Sequence, residues 1–332
     1  MNDTEILRFI TTEDAGETEK LFADARKRRE EYYGKNVYFR GLIEFTNYCK
    51  NNCYYCGIRS SNTNIKRFRL SLDDITGCCR LGNSLGYKTF VLQGGEDPYF
   101  TDEKIAEIIR IIRDEFPDHA ITLSAGERSR QSYEFLFHAG VNRYLLRHET
   151  ALDCHYAKLH PPPLTLTSRK KCLRDLKEIG FETGAGFMVG SPFQTPECLL
   201  ADLRFIEELQ PQMIGVGPFI PHKDTPFAGE PAGGLNLTLK MLALTRLILP
   251  KALIPATTAL GTIAHNGREL GLNAGANVVM PNLTPSPVRK FYALYDNKIN
   301  AGDDAAKYQL QLEEMIRKAG YMPDKGRGDA IC

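Results

Sequence analysis

The chain has 332 residues, 42% of them hydrophobic, with 42 lysines and arginines against 41 aspartates and glutamates and a net charge of +1. That balance gives no field for nucleic acid or an anionic membrane, and there is neither an apolar run of about eighteen residues nor a signal peptide, so a cytoplasmic protein is expected. The length allows a large core, as two domains or one α/β barrel, and nine cysteines in a reducing compartment read as metal ligands or buried thiols rather than as a disulfide framework.

From Asn2 to Gly34 the pattern is helical, with Ile6, Phe9 and Ile10 on one face and a charged helix from Thr18 to Tyr33. Residues 1–40 therefore read as an N-terminal helical cap. Beyond it, runs rich in β-branched residues alternate with amphipathic stretches of helical length, the mark of βα units and a parallel sheet. Strands are expected at Leu42–Thr46, Thr89–Gln93, Ala120–Ser124, Arg143–Arg147, Thr183–Val189, Met213–Gly217, Ile254–Thr258 and Asn277–Met280. Helices are expected at Asp73–Leu85, Asp102–Glu115, Arg130–His138, Arg169–Ile179, Pro196–Leu209 and Thr238–Ile248. Eight strands predict a (β/α)8 barrel of the TIM type over residues 41–285, followed by C-terminal helices and a tail over 286–332, all within one domain. In such a barrel the functional residues collect just after the strands.

The first strand leads directly into Cys49-Lys50-Asn51-Asn52-Cys53-Tyr54-Tyr55-Cys56, a C-x3-C-x2-C loop. Iron-sulfur clusters and structural zinc sites usually take four protein ligands, so three thiolates leave one position open. No histidine or cysteine lies between Cys56 and Cys78 to close a zinc site. The spacing, with Tyr55 packed beside the cluster, is the motif of the radical S-adenosylmethionine (SAM) superfamily. The second strand ends in Gly94-Gly95-Glu96, where paired glycines admit a ligand close to the backbone and a carboxylate accepts hydrogen bonds from an amine. Alone this is also a common turn; beside the cysteine loop it resembles the element that binds the SAM amino group. Arg147 and Glu149 share a face at the end of the fourth strand, and in a barrel lumen two charges need partners or a ligand. His148 then points outward as a packed or capping residue. The glycines of 184–190 follow GxGxxxG inside a strand, so they do not form a dinucleotide fingerprint and instead leave room in the lumen.

Five segments together resemble the radical-SAM maturases of [FeFe]-hydrogenase, the HydE group: Arg-Tyr-Leu-Leu-Arg-His-Glu-Thr at 143–150, Glu-Thr-Gly-Ala-Gly-Phe-Met-Val-Gly at 182–190, Gly-Pro-Phe-Ile-Pro-His at 217–222, Ile-Pro-Ala-Thr-Thr-Ala-Leu-Gly-Thr-Ile at 254–263 and Gly-Ala-Asn-Val-Val-Met-Pro-Asn at 275–282. The resemblance runs from about Gly41 to Ile299. It implies that Cys49, Cys53 and Cys56 hold a [4Fe-4S] cluster and that Gly94, Gly95, Ser124, Glu149 and Arg169 meet the methionine end of SAM. It further implies a substrate chamber lined by Arg147, Met213, Thr257, Thr258, Tyr292 and Tyr295. Implied partners are a small organoiron or amino-acid-derived substrate, a reduced flavodoxin- or ferredoxin-type electron donor and other hydrogenase-maturation proteins.

Some members of that group carry a second cysteine trio near the C-terminus, whereas here 300–331 contains none and Cys332 is isolated. One cluster is therefore expected. Cys78, Cys79, Cys154, Cys172 and Cys198 lack ligand spacing and read as buried small side chains. The alternatives are a methylornithine-synthase-like radical-SAM mutase and a non-enzymatic metal or electron-carrier protein. A biotin-synthase-like sulfur insertion would want further cysteines at later strand ends, and there are none.

Overall fold

The computed structural model describes residues 1–299 and 305–331, so residues 300–304 and Cys332 lie outside the described residues. Nine strands occur among them: β1 (Asn36–Phe39), β2 (Gly41–Thr46), β3 (Thr89–Gly94), β4 (Ala120–Ser124), β5 (Arg143–Leu145), β6 (Glu182–Val189), β7 (Met213–Pro218), β8 (Val278–Val279) and β9 (Met322–Asp324). Strands β2 to β7 pair in sequence order, every pair parallel. All six residues of β2 and of β7 are buried, as in a parallel sheet covered on its outer face by crossover helices. The crossovers start where the sequence supplies caps: the side chains of Ser71, Thr101, Ser129 and Thr165 each accept an N–H from the first turn of the helix that follows.

Six of the eight expected strands form as strands of the main sheet; the last two are reduced. The expected strand Ile254–Thr258 survives only as isolated pairings, Leu253 with Met213 and Pro255 with Val278, while Asn282 pairs with Leu42. Pro255 has no N–H for a ladder, and Thr257 turns the chain into the helix Thr258–Ile263 by capping it, so a full strand has no room. These bridges still carry parallel pairing from β7 round to β2, which gives the α/β barrel. β8, all that forms of the expected strand Asn277–Met280, also pairs with β1, which pairs with β9; the sequence reading did not foresee β1, β9 or the small parallel sheet they make with β8.

The N-terminal cap is built as expected from helices Asp3–Thr11 and Ala15–Tyr33, and the second packs along helix Leu235–Ile248. At the N-terminal end of the barrel, Arg143 bonds Glu182, Thr89, Asp329 and the carbonyls of Arg327 and Gly328. This floor is closed, and the opposite end is open to a cavity.

Candidate active site

The cavity, about 300 Å³, lies at the C-terminal ends of the strands. The cysteine loop forms one wall because β2 delivers the chain there and because Arg67 holds it. Its guanidinium donates to the carbonyls of Asn47 (2.5 Å), Ile58 (2.8 Å), Arg59 (2.6 Å) and Asn62 (3.1 Å). Asn47 adds bonds to the Lys66 and Phe291 carbonyls and to the Phe68 N–H. Neither residue was foreseen, since no spacing rule marks an arginine that bonds only backbone.

Cys49, Cys53 and Cys56 all line the cavity as half-buried free thiols. Burial raises the pKa of each: Cys49 upward, Cys53 to about 12, and Cys56 upward again with Cys53 and Cys49 adding like charge. Three thiolates are therefore costly here without a cationic group to bind them. Among the described residues no three histidine, cysteine, aspartate or glutamate side chains converge on the position of a single ion.

Tyr55 also lines the cavity, and its hydroxyl is 3.2 Å from His160 Nε2. His160 Nδ1 is 3.0 Å from the Tyr156 carbonyl, which fixes the tautomer: Nδ1–H donates to the carbonyl and Nε2 accepts from Tyr55. Burial lowers the His160 pKa to about 3, so the ring stays neutral and this tautomer persists. The sequence reading missed His160 because it lies more than a hundred residues from its partner.

The second wall is the turn after β3. A side chain on Gly95 would place Cβ 2.3 Å from the Tyr48 carbonyl oxygen, so glycine is required for the two turns to approach. Glu96 is held by the Glu127 N–H at 2.9 Å, with Lys50 Nζ at 3.4 Å. Gly126, at φ +76°, would put a Cβ 1.9 Å from Glu96 Cγ, so this glycine makes room for the Glu96 side chain. Ser124, at the end of β4, faces the same space.

Arg147 and Glu149 both line the cavity, as strand alternation predicts. Arg147 Nη2 and Glu149 Oε2 are 3.0 Å apart, yet the pair lacks hydrogen-bond alignment and both atoms are buried without a hydrogen-bond partner, as is Arg147 Nε. Glu149 is one of four non-glycine residues with positive φ among the described residues, at 65°. His148 turns away and is fully buried, 3.3 Å from Asp202 Oδ1, so its outward, packed placement matches the expectation. Arg169 donates from Nε to Glu127 at 2.6 Å and from Nη1 to the Arg147 carbonyl at 2.9 Å. Burial opposes its charge, but Tyr156, Glu127 and Glu96 outweigh that and raise its pKa above the usual guanidinium range.

Thr257, Tyr292 and Tyr295 complete the lining, with Gln93 as an unforeseen member that donates to the Tyr292 hydroxyl at 3.3 Å. Two expected residues are elsewhere. Met213 begins β7 rather than ending it, so it lies at the closed floor, where Arg40 Nη1 meets its sulfur at 2.8 Å. Thr258 follows the turn made by Thr257 and borders a separate, very small space beside Arg268 and Lys298. The expectation that these two line the chamber is corrected accordingly.

A cluster and SAM suit these residues: three thiols face the cavity, the glycine turn admits close approach, and buried carboxylate and guanidinium atoms lack partners. Comparison with known proteins agrees. The model of the radical SAM superfamily matches residues 43–206. The [FeFe] hydrogenase maturase subunit HydE of Thermotoga maritima is 50% identical over 319 residues, covering 96% of this chain and 91% of that protein. The chain belongs to the HydE family of radical SAM enzymes. A 3-methylornithine synthase of Methanosarcina barkeri is 30% identical, covering 98% of this chain and 92% of that protein. The crystal structure of methylornithine synthase (PylB) superposes with a TM-score of 0.86 at 28% identity, over 97% of this chain and 94% of that one. Enzymes of this superfamily use a [4Fe-4S] cluster and SAM, so the non-enzymatic reading is set aside. No helix among the described residues is long and apolar enough to cross a membrane.

Proposed function

We propose that the protein cleaves SAM reductively and uses the resulting radical on a small organoiron precursor during assembly of the diiron site of [FeFe]-hydrogenase, in the cytoplasm. The observation that carries the reading is the set of unpartnered charged atoms on Arg147 and Glu149 at the edge of the cysteine-lined cavity. The two charges pair with each other at 3.0 Å, but buried donor and acceptor atoms left without a hydrogen bond are costly unless a ligand supplies one. The close HydE relative supports the choice of pathway.

In this reading Cys49, Cys53 and Cys56 hold the cluster, with Tyr55 beside it. When bound, the cluster supplies the electron that splits SAM into methionine and a 5'-deoxyadenosyl radical. The backbone of Gly94 and Gly95 admits the SAM amino end against Glu96, while Ser124, Glu149 and Arg169 orient the carboxylate end. Arg147 and the hydroxyls of Thr257, Tyr292 and Tyr295 face the substrate. The Thr257 oxygen accepts the Leu260 N–H, so its own proton stays available to an anionic ligand. Burial raises the pKa of Tyr292 and, to about 12, that of Tyr295, so both stay protonated donors. The chamber of about 300 Å³ is walled by barrel strands and opens at one end.

The test is anaerobic reconstitution followed by reduction with SAM present. About four irons per chain and 5'-deoxyadenosine formation are expected, with Cys53→Ala inactive. No cleavage by a fully loaded protein would overturn the reading, and about eight irons would contradict a single cluster. A second reading, an amino-acid mutase, is favoured by the PylB-like superposition across nearly the whole chain. Turnover of amino acids rather than cysteine-bearing organoiron complexes would select it.

A further inference from the structure

The reading above requires one electron from outside for each SAM cleaved, and the surface over the cysteine loop is unusual in charge. Between Phe45 and Leu72 the chain has five lysines and arginines and no aspartate or glutamate, although the whole chain is nearly balanced. Arg59 and Arg67 turn inward, to Asn52 and to the loop carbonyls. Lys50, Lys66 and Arg69 remain exposed.

These cations are interleaved with aromatic rings. The Arg69 guanidinium lies 3.8 Å from the ring centre of Tyr48, the residue before Cys49, and 4.6 Å from that of Tyr99. Lys104 Nζ sits 3.4 Å from the Tyr99 ring, which is 49% exposed. Lys66 and Lys290, both exposed, approach the Phe291 ring at 5.3 Å each, and the Phe291 carbonyl is bonded by Asn47, two residues before Cys49. The carboxylate that pairs with Arg69, Asp97, is buried and shows a partner almost no charge. Lys50 is ion-paired with Glu96 and Lys104 neighbours the exposed Glu103, so the cationic, partly aromatic surface is the side of the cysteine loop formed by Lys66, Arg69 and Lys290.

We propose that this surface docks a small acidic one-electron carrier protein, which reduces the cluster from outside the barrel. In the step the carrier loses one electron and the cluster gains it; no bond forms or breaks and no proton moves at the interface. The inference rests on the reductive reading of the cavity. Complementary charge at an exposed rim acts mainly on association rate and is weakened by salt.

The test uses the anaerobically reconstituted full-length protein and the double variant Lys66→Glu with Lys290→Glu, neither position belonging to the cavity. 5'-Deoxyadenosine formation is measured once with dithionite, which needs no docking surface, and once with reduced flavodoxin. Dithionite-driven rates should agree within about twofold, while the KM for flavodoxin rises about tenfold and loses much of its salt dependence. The variant Lys66→Arg with Lys290→Arg should behave as the parent. Unchanged flavodoxin kinetics in the charge-reversed variant would overturn the proposal. So would an equal loss with both reductants, which would mean that the lysines maintain the loop. If the parent cleaves no SAM even with dithionite, the reductive reading itself fails and the docking proposal falls with it.

Discussion

The two ends of the barrel bury the same kinds of charged residue and treat them in opposite ways. At the floor, Arg143 satisfies every guanidinium nitrogen, and Arg246 does the same through the carbonyls of Gly275, Pro250 and Ala252 and the Asn277 side chain. At the mouth, Arg147 and Glu149 touch without alignment and keep buried atoms unpartnered, on a backbone held at positive φ. Saturated charge at the fully buried floor is a device of stability; the less buried, unsaturated pair at the mouth, with the Arg147 side chain 32% exposed, is poised for a ligand. Away from the mouth, Arg40 keeps one unpartnered nitrogen and the fully buried Arg29 keeps two, so the contrast is one of degree.

The contrast can be broken at several points. The largest effect is expected for Cys53→Ala, which should remove the cluster and abolish SAM cleavage, as read by iron content and 5'-deoxyadenosine. Next, Glu149→Gln keeps the side-chain shape but removes a charge-assisted bond, and should weaken SAM binding roughly 10- to 100-fold while moving unfolding free energy by less than about 1 kcal/mol. Arg143→Met should do the reverse: a loss of about 2–3 kcal/mol by urea unfolding, with SAM affinity per folded molecule unchanged. Gly126→Ala falls between, since a β-carbon at φ +76° costs about 1–2 kcal/mol and also displaces Glu96 from the cavity wall. Paired urea and SAM titrations of that variant should therefore both shift.

A further prediction concerns pH. His160 has its folded pKa lowered to about 3 by burial, below the usual histidine value near 6.5. The unfolded chain therefore takes up a proton as pH falls through about 6.5 while the folded one does not. Stability is complete above that range and declines toward pH 3, by at most about 1.4 kcal/mol per pH unit for this group. His160→Gln should flatten that acid limb in a pH series of urea melts. An unaltered slope would show that His160 is accessible to protons in the folded state.

Much of this was legible in the sequence, for a physical reason. Strands β2 to β4 are largely apolar runs, each followed by a helix with a side-chain cap, and the cysteine loop and Gly94-Gly95 stand at strand ends where a barrel places function. What failed was what depends on partners distant in the chain. Pro255 removed the ladder donor that a seventh strand needed, and Thr257 spent its side chain on a cap. Met213 lies in an inward-facing strand but at the wrong end of it, because spacing gives a face and not a depth. Arg67 and His160 work through backbone carbonyls and a remote tyrosine, and no local pattern encodes either contact.

The central claim is that Glu149, ion-paired with Arg147 but without an aligned hydrogen bond, is kept for a ligand rather than for the fold. Anaerobic SAM titration of the reconstituted protein and of Glu149→Gln, alongside their urea melts, tests it directly. The account predicts affinity reduced at least about tenfold with stability unchanged. Unchanged SAM affinity with a clear loss of stability would contradict it, and would make the mouth of the barrel as structural as its floor.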